Sequence, residues 1–164
     1  MAVLALKSED LAGLDAQPKT LAHSFNRGKV VRQHFRVPPL AVLGDAGTTI
    51  DLAQLPRGPV RLNLTTSRIF WSAFGAARLL DIGHRAYEAA DGSIVAAVAN
   101  LFDDDVDVSA AGNAALGSDF VLANFLAKTQ RFLSAKGVTI FATVAGGTIP
   151  AGAIIEGWLD YTEM

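Results

Sequence analysis

The chain contains no cysteine, which excludes disulfides, thiolate metal sites and cysteine nucleophiles and leaves the redox compartment open. Charge is scarce as well: 18% of the 164 residues are charged, against about 25% in an ordinary globular domain. A chain with so little polar surface to give to water tends to bury surface against partners, although its many alanines swell the 51% hydrophobic fraction. Neither sign prevails. The formal net charge is −2, so nothing global points to nucleic acid or an anionic membrane. Long apolar runs are missing too, and none approaches the roughly 18 to 20 residues of a membrane helix. The opening MAVLALKSEDLAGL has no basic leader and meets Lys7, Glu9 and Asp10 at once, unlike a signal peptide. The expectation is a soluble, unprocessed product whose length suits one domain with a substantial core.

Catalytic patterns are equally sparse. No serine or threonine occupies the strained glycine elbow of a hydrolase. Gly146 and Gly147 follow a strand, but neither a phosphate-loop lysine nor a helix start comes after them. His23, His34 and His84 are too scattered for a local metal motif and read as ordinary surface or half-buried histidines. The sequence therefore predicts no catalytic residues, no cofactor and no metal: not an enzyme, unless distant residues assemble a site.

What the sequence does have is alternation. In the stretch Pro59–Tyr87, Val60, Leu62 and Leu64 fall on one side and Arg61, Asn63 and Thr65 on the other, the period of a strand with one buried face. After Ser72-Ala73-Phe74-Gly75 a second strand places Leu80 and Ile82 opposite Asp81 and Arg85, and the two are expected to form one long β-ribbon. Upstream, Gly28–Val37 alternates Val31, Gln33, Phe35 and Val37 with Val30, Arg32, His34 and Arg36, and Pro38-Pro39 ends it. A short strand is expected over Thr48–Leu52, and a turn over Leu55–Pro59. Downstream, Val138, Ile140, Ala142 and Val144 alternate with Thr139, Phe141 and Thr143. Ile155, Gly157, Leu159 and Tyr161 alternate with Ile154, Glu156, Trp158 and Asp160. Ile94–Leu101 is alanine-rich and balances strand against helix propensity. Ser118–Lys136 favours a helix, with Phe120, Val121, Leu122, Phe125, Leu126, Phe132 and Leu133 on one side; a loop and a strand at Arg131–Ser134 is the alternative. Short strands separated by regular turn signals predict an all-β, antiparallel β-sandwich with at most one short helix.

Residues 1–27 read as an N-terminal arm and 28–164 as a single β-sandwich domain. Leu4, Leu11, Leu14, Leu21 and Phe25 have no period of their own, yet a solvated tail has little use for so many large apolar side chains. The arm is expected to order against a neighbouring subunit; a frayed terminus is the plainer reading. Arg27, Lys29, Arg32, His34 and Arg36 form a basic stripe suited to meeting phosphate or to steering the chain onto an acidic protein surface, or else an ordinary solvated face. Asp103, Asp104, Asp105 and Asp107 are the best metal candidate, but the spacing fits no EF-hand and a solvated loop is expected instead. Trp71, Trp158 and Tyr161 would be the platforms of a carbohydrate-binding module.

The order of elements carries a resemblance. RGKVVRQHFRVPP leads to TTIDLAQLPRGPVRL, then SAFGAARLLDIGHRAYEAADGS, DVDVSAAG and finally VTIFATVAGGTIPAGAIIEGWLDYTE. Over roughly residues 28–164 this resembles small structural proteins of tailed bacteriophages, of the capsid decoration or cement type. The resemblance implies a jelly-roll-like sandwich that is made in the host cytoplasm and sits on the virion capsid surface in many copies. It also implies that the major capsid protein and other copies of the chain are its partners, in a homo-oligomer without direct nucleic-acid or membrane contact. The partner-binding residues are then the arm apolars named above with Arg27, Arg32 and Arg36. A carbohydrate- or ligand-binding sandwich in a tail or host-adhesion component is the alternative.

Overall fold

The computed structural model describes residues 29–39, 44–118 and 129–164 in full and residues 5–7 by their backbone. Its strands are β1 (Ala5–Lys7), β2 (Val30–Val37), β3 (Thr49–Leu55), β4 (Gly58–Trp71), β5 (Leu79–His84), β6 (Tyr87–Glu88), β7 (Ile94–Val95), β8 (Val98–Asp107), β9 (Gly112–Ala115), β10 (Thr129–Ser134), β11 (Val138–Ala145) and β12 (Ile155–Glu163). Sheet I runs β1-β3-β11-β5-β8, and sheet II runs β10-β4-β12-β2 with β9 also on β4. Pairing is antiparallel except that β1 lies parallel to β3, Ala5 opposite Thr49. No helix occurs among the described residues.

Alternation builds this architecture. The central strand of sheet II, β4, turns Val60, Leu62, Leu64, Ile69 and Trp71 inward, and the central strand of sheet I, β11, turns Val138, Ile140, Ala142 and Val144 toward them. The two inner faces merge into one core, closed by Phe35, Phe74, Phe102 and Phe132. Burying each large apolar side chain contributes about 1.5–3 kcal/mol. The chain crosses between sheets at almost every connection, so strands adjacent in sequence seldom pair, as in a jelly roll. The exception is the β6–β7 hairpin, where Asp91 accepts the Ser93 amide at 2.9 Å and Gly92 takes φ 85.

Two expectations need correction. β4 and β5 are not a ribbon: β4 belongs to sheet II and β5 to sheet I. Ser72–Gly75 is the corner between them, pinned by Ser72 N–H to Ile154 O (3.0 Å) and Phe74 N–H to Val108 O (2.9 Å). A hairpin and a corner leave the same alternation on either side. The helix over 118–136 fails in its described part, where Thr129–Ser134 is a strand on β4. Phe132 and Ser134 face the core while Arg131 and Leu133 face out, so Phe132 and Leu133 do not share a face. Residues 119–128 of that expected helix lie outside the described residues. The alanine-rich stretch resolves as strands β7 and the start of β8, and β3 runs further than expected, to Leu55.

Candidate functional site

The outer face of sheet II collects the exposed side chains that could bind something. Across β12 and β2, Glu156 stands opposite Arg36, Trp158 opposite His34 and Asp160 opposite Arg32. On the other side of β12, Glu156 meets Phe70, Trp158 meets Arg68 and Thr162 meets Arg61. Beyond β4, Arg131 of β10 faces Arg61 directly. A bulge makes this possible. Thr65 and Thr66 both point out, and Ser67 then turns in, with Ser67 Oγ donating to Asn63 O at 2.6 Å and accepting from Asp160 N at 2.9 Å. That insertion resets the phase, so Ile69 and Trp71 reach the core and Arg68 and Phe70 reach the outer face.

At the centre lies Trp158, half-buried, its ring centroid 5.3 Å from Phe70 and 6.0 Å from His34. Its indole N–H donates to Thr66 O at 2.8 Å, and the Arg32 guanidinium sits 4.9 Å above its ring. Beside it, His34, Arg36, Phe70, Glu156 and Trp158 enclose an open groove of about 420 Å³ floored by Phe35 and Gly157. Gly157 is required there, since a Cβ would collide with the Arg68 backbone carbonyl of the neighbouring strand and lie 2.9 Å from the Phe35 ring.

The electrostatics of the face are uneven. Arg32 clamps Asp160 with two bonds of 2.8 Å. The guanidinium, aided by Thr66 and opposed by burial, holds the Asp160 carboxyl below its ordinary range. Arg36 and Glu156 stand 3.6 Å apart, both exposed. Among the described residues Arg68 donates only to Asn113, at 3.3 Å. Arg61 and Arg131 have no ion pair among the described residues, although like charges directly opposite each other on a sheet destabilise it.

The aspartate run behaves otherwise than expected. It is not a solvated loop but the second half of β8. Asp103 is 1% exposed and accepts from Gly117 N (2.9 Å), Ser118 N (2.7 Å) and Ser118 Oγ (2.7 Å). Asp105 takes φ 55 at an irregular pairing between β5 and β8, so the like-facing row of Asp103, Asp105 and Asp107 is broken. The carboxylates that do gather are Asp81, Asp104 and Asp105, within 4.8 Å of one another. Asp81 is engaged by the Asp105 amide at 3.0 Å and Asp104 by Asn100 at 3.2 Å.

Of the expected partner-binding residues, the structure places Arg32 and Arg36 together on this outer face. Leu4, Leu11, Leu14, Leu21, Phe25 and Arg27 lie outside the residues whose side chains are described. Trp71 and Tyr161 cannot be sugar platforms: both are turned into the core, at 8% and 6% exposure, because they share the inward phase of β4 and β12. His84 is buried against Tyr87 and Phe132, with Nδ1 2.9 Å from Arg85 O. Sequence reasoning missed Phe70 and Arg68 beside Trp158 and Arg131 opposite Arg61 further along the same face. Arg61 showed its outward phase in the alternation, but Arg68 and Phe70 follow the bulge, and Arg131 was assigned to a helix.

No family model matches the sequence, and no curated protein matches it. Among solved structures, the fold is similar to that of a chain in the cyanophage Pam1 capsid asymmetric unit. The likeness has a TM-score of 0.53 at 14% identity, covering 90% of this chain and 95% of that one.

Proposed function

We propose that this chain is a non-enzymatic structural protein of a bacteriophage virion, a capsid decoration or cement protein that binds the major capsid protein and stabilises the head. The observation that carries this reading is the likeness along nearly the whole chain to a component of a phage capsid. The outer face of sheet II supports it, because half-buried aromatics rimmed by arginines are what protein interfaces use as anchors. Arg32 and Arg36 would act there, and the arm of residues 1–27 would dock beside them through Leu4, Leu11, Leu14, Leu21, Phe25 and Arg27. The protein would be made in the host cytoplasm and reside on the capsid surface.

Particles stripped of the protein should disrupt at lower temperature, and adding back purified chain should restore the midpoint. A midpoint that does not move on rebinding refutes the cement role. Deleting residues 1–20 should weaken rebinding while leaving the fold's melting temperature nearly unchanged. The groove beside Trp158 favours one second reading, a carbohydrate-binding module with a single aromatic platform. Specific signals on a glycan array that vanish in Trp158→Ala would favour it.

A further inference from the structure

Two regions of the chain carry one sign of charge in excess. Along the outer face of sheet II, Arg32, Arg36, Arg61, Arg68 and Arg131 outnumber Asp160 and Glu156. The formal net charge of the chain is nonetheless −2, so acid is in excess elsewhere. Among the described residues its densest place is the β5–β8 border of sheet I, where Asp81, Asp104, Asp105 and Asp107 make no ion pair. The two regions belong to different sheets and do not meet within one molecule.

We infer that the outer face of sheet II docks onto the β5–β8 border of a second copy of this chain, joining copies head to tail. The directly opposed Arg61 and Arg131 are the strongest reason. Their repulsion is a standing cost in the isolated sheet, and attraction to carboxylates placed between them would offset it. Phe70 and Trp158 give the contact its apolar centre, where water is excluded and charge pairs around it are strengthened. The contact is heterologous, because each copy presents a basic face and an acidic border. Copies therefore add in one direction and close into a ring when the rotation permits. This deepens the assembly reading above by naming the surfaces through which copies meet, but its test needs no capsid and the two can fail separately.

The experiment is sedimentation velocity over a concentration series at low and at high salt, with three proteins. The parent should associate in about 0.05 M salt and dissociate at least tenfold more readily in about 0.5 M, where screening shortens the reach of charges to a few ångströms. Arg61→Glu with Arg131→Glu should be monomeric in both. So should Asp104→Lys with Asp105→Asn, asparagine being chosen because it tolerates the positive φ at that position. Mixing the two variants should restore association, since each supplies the charge the other lacks. Melting curves establish that both variants are folded. A parent that stays monomeric at low salt overturns the inference, as does a mixture that fails to associate or an acidic-border variant that assembles like the parent. Any of these would leave the virion reading standing.

Discussion

The inner faces of sheets I and II are alike in kind, whereas their outer faces differ. Inside, β11 offers Val138, Ile140, Ala142 and Val144, and β4 offers Val60, Leu62, Leu64 and Ile69, all fully buried. Outside, sheet II carries arginines around Trp158, and the β5–β8 border of sheet I carries carboxylates. The fold constrains only the inward phase of each strand, so the outward phase is left to specialise. The core and the charged outer faces are thus written on alternate residues of the same strands.

That division makes predictions, and the largest concern the inner faces. Leu62→Ala and Ile140→Ala should each destabilise by about 2–5 kcal/mol, as measured by urea unfolding, because both side chains are fully buried and truncation leaves a cavity. A cost below about 0.5 kcal/mol at either would show that its sheet does not share the core. A smaller loss is expected at Asp103, the carboxylate that breaks the rule by pointing inward. Asp103→Ala leaves the amides of Gly117 and Ser118 without their acceptor and should cost about 1–3 kcal/mol. Its exposed neighbour should behave as surface, with Asp104→Ala staying within about 0.5 kcal/mol. Equal costs for the two would erase the distinction.

Acid sharpens the comparison further. Arg32 holds Asp160 below the ordinary carboxylate range, so the folded protein takes up that proton less readily than the unfolded chain. The stabilisation is complete above the unfolded value of about 3.9 and is lost as pH falls through the lower folded value. Asp160→Asn should therefore flatten the decline in unfolding midpoint below about pH 4. Part of the slope should survive, because hydrogen bonds from Ser93 and Ser109 hold Asp91 and Asp107 low in the same way. An unchanged slope would mean that the Arg32–Asp160 clamp is not formed in solution. The smallest effect belongs to the opposed arginines. Arg61→Gln should raise the unfolding midpoint slightly, by less than about 0.5 kcal/mol in stability, and a fall would show that Arg61 has a stabilising partner.

Much of this was legible in the residues, and what was not has physical causes. Strands with one apolar face announce themselves by alternation, and so β2, β11, β12 and the first half of β4, with the phase of each, were readable. Partnership was not, because the corner at Ser72–Gly75 and a hairpin turn look the same from either flanking strand. Nor was the bulge at Thr65–Ser67 readable, where local polarity hides a change of phase that decides which way Arg68 and Phe70 point. Propensity misled at Phe132 and Leu133, where pairing with β4 overrides the helical pattern. At Asp103 the sequence shows one charge in a run of four; only the neighbouring amides of Gly117 and Ser118 make it a buried acceptor.

The central claim is that the chain is a stoichiometric part of a virion, and the ratio of this chain to the major capsid protein in purified particles tests it most directly. Quantitative mass spectrometry on gradient-purified virions should find the two in a fixed, small whole-number ratio that survives repeated banding. A trace amount that falls with each round of purification would contradict the account.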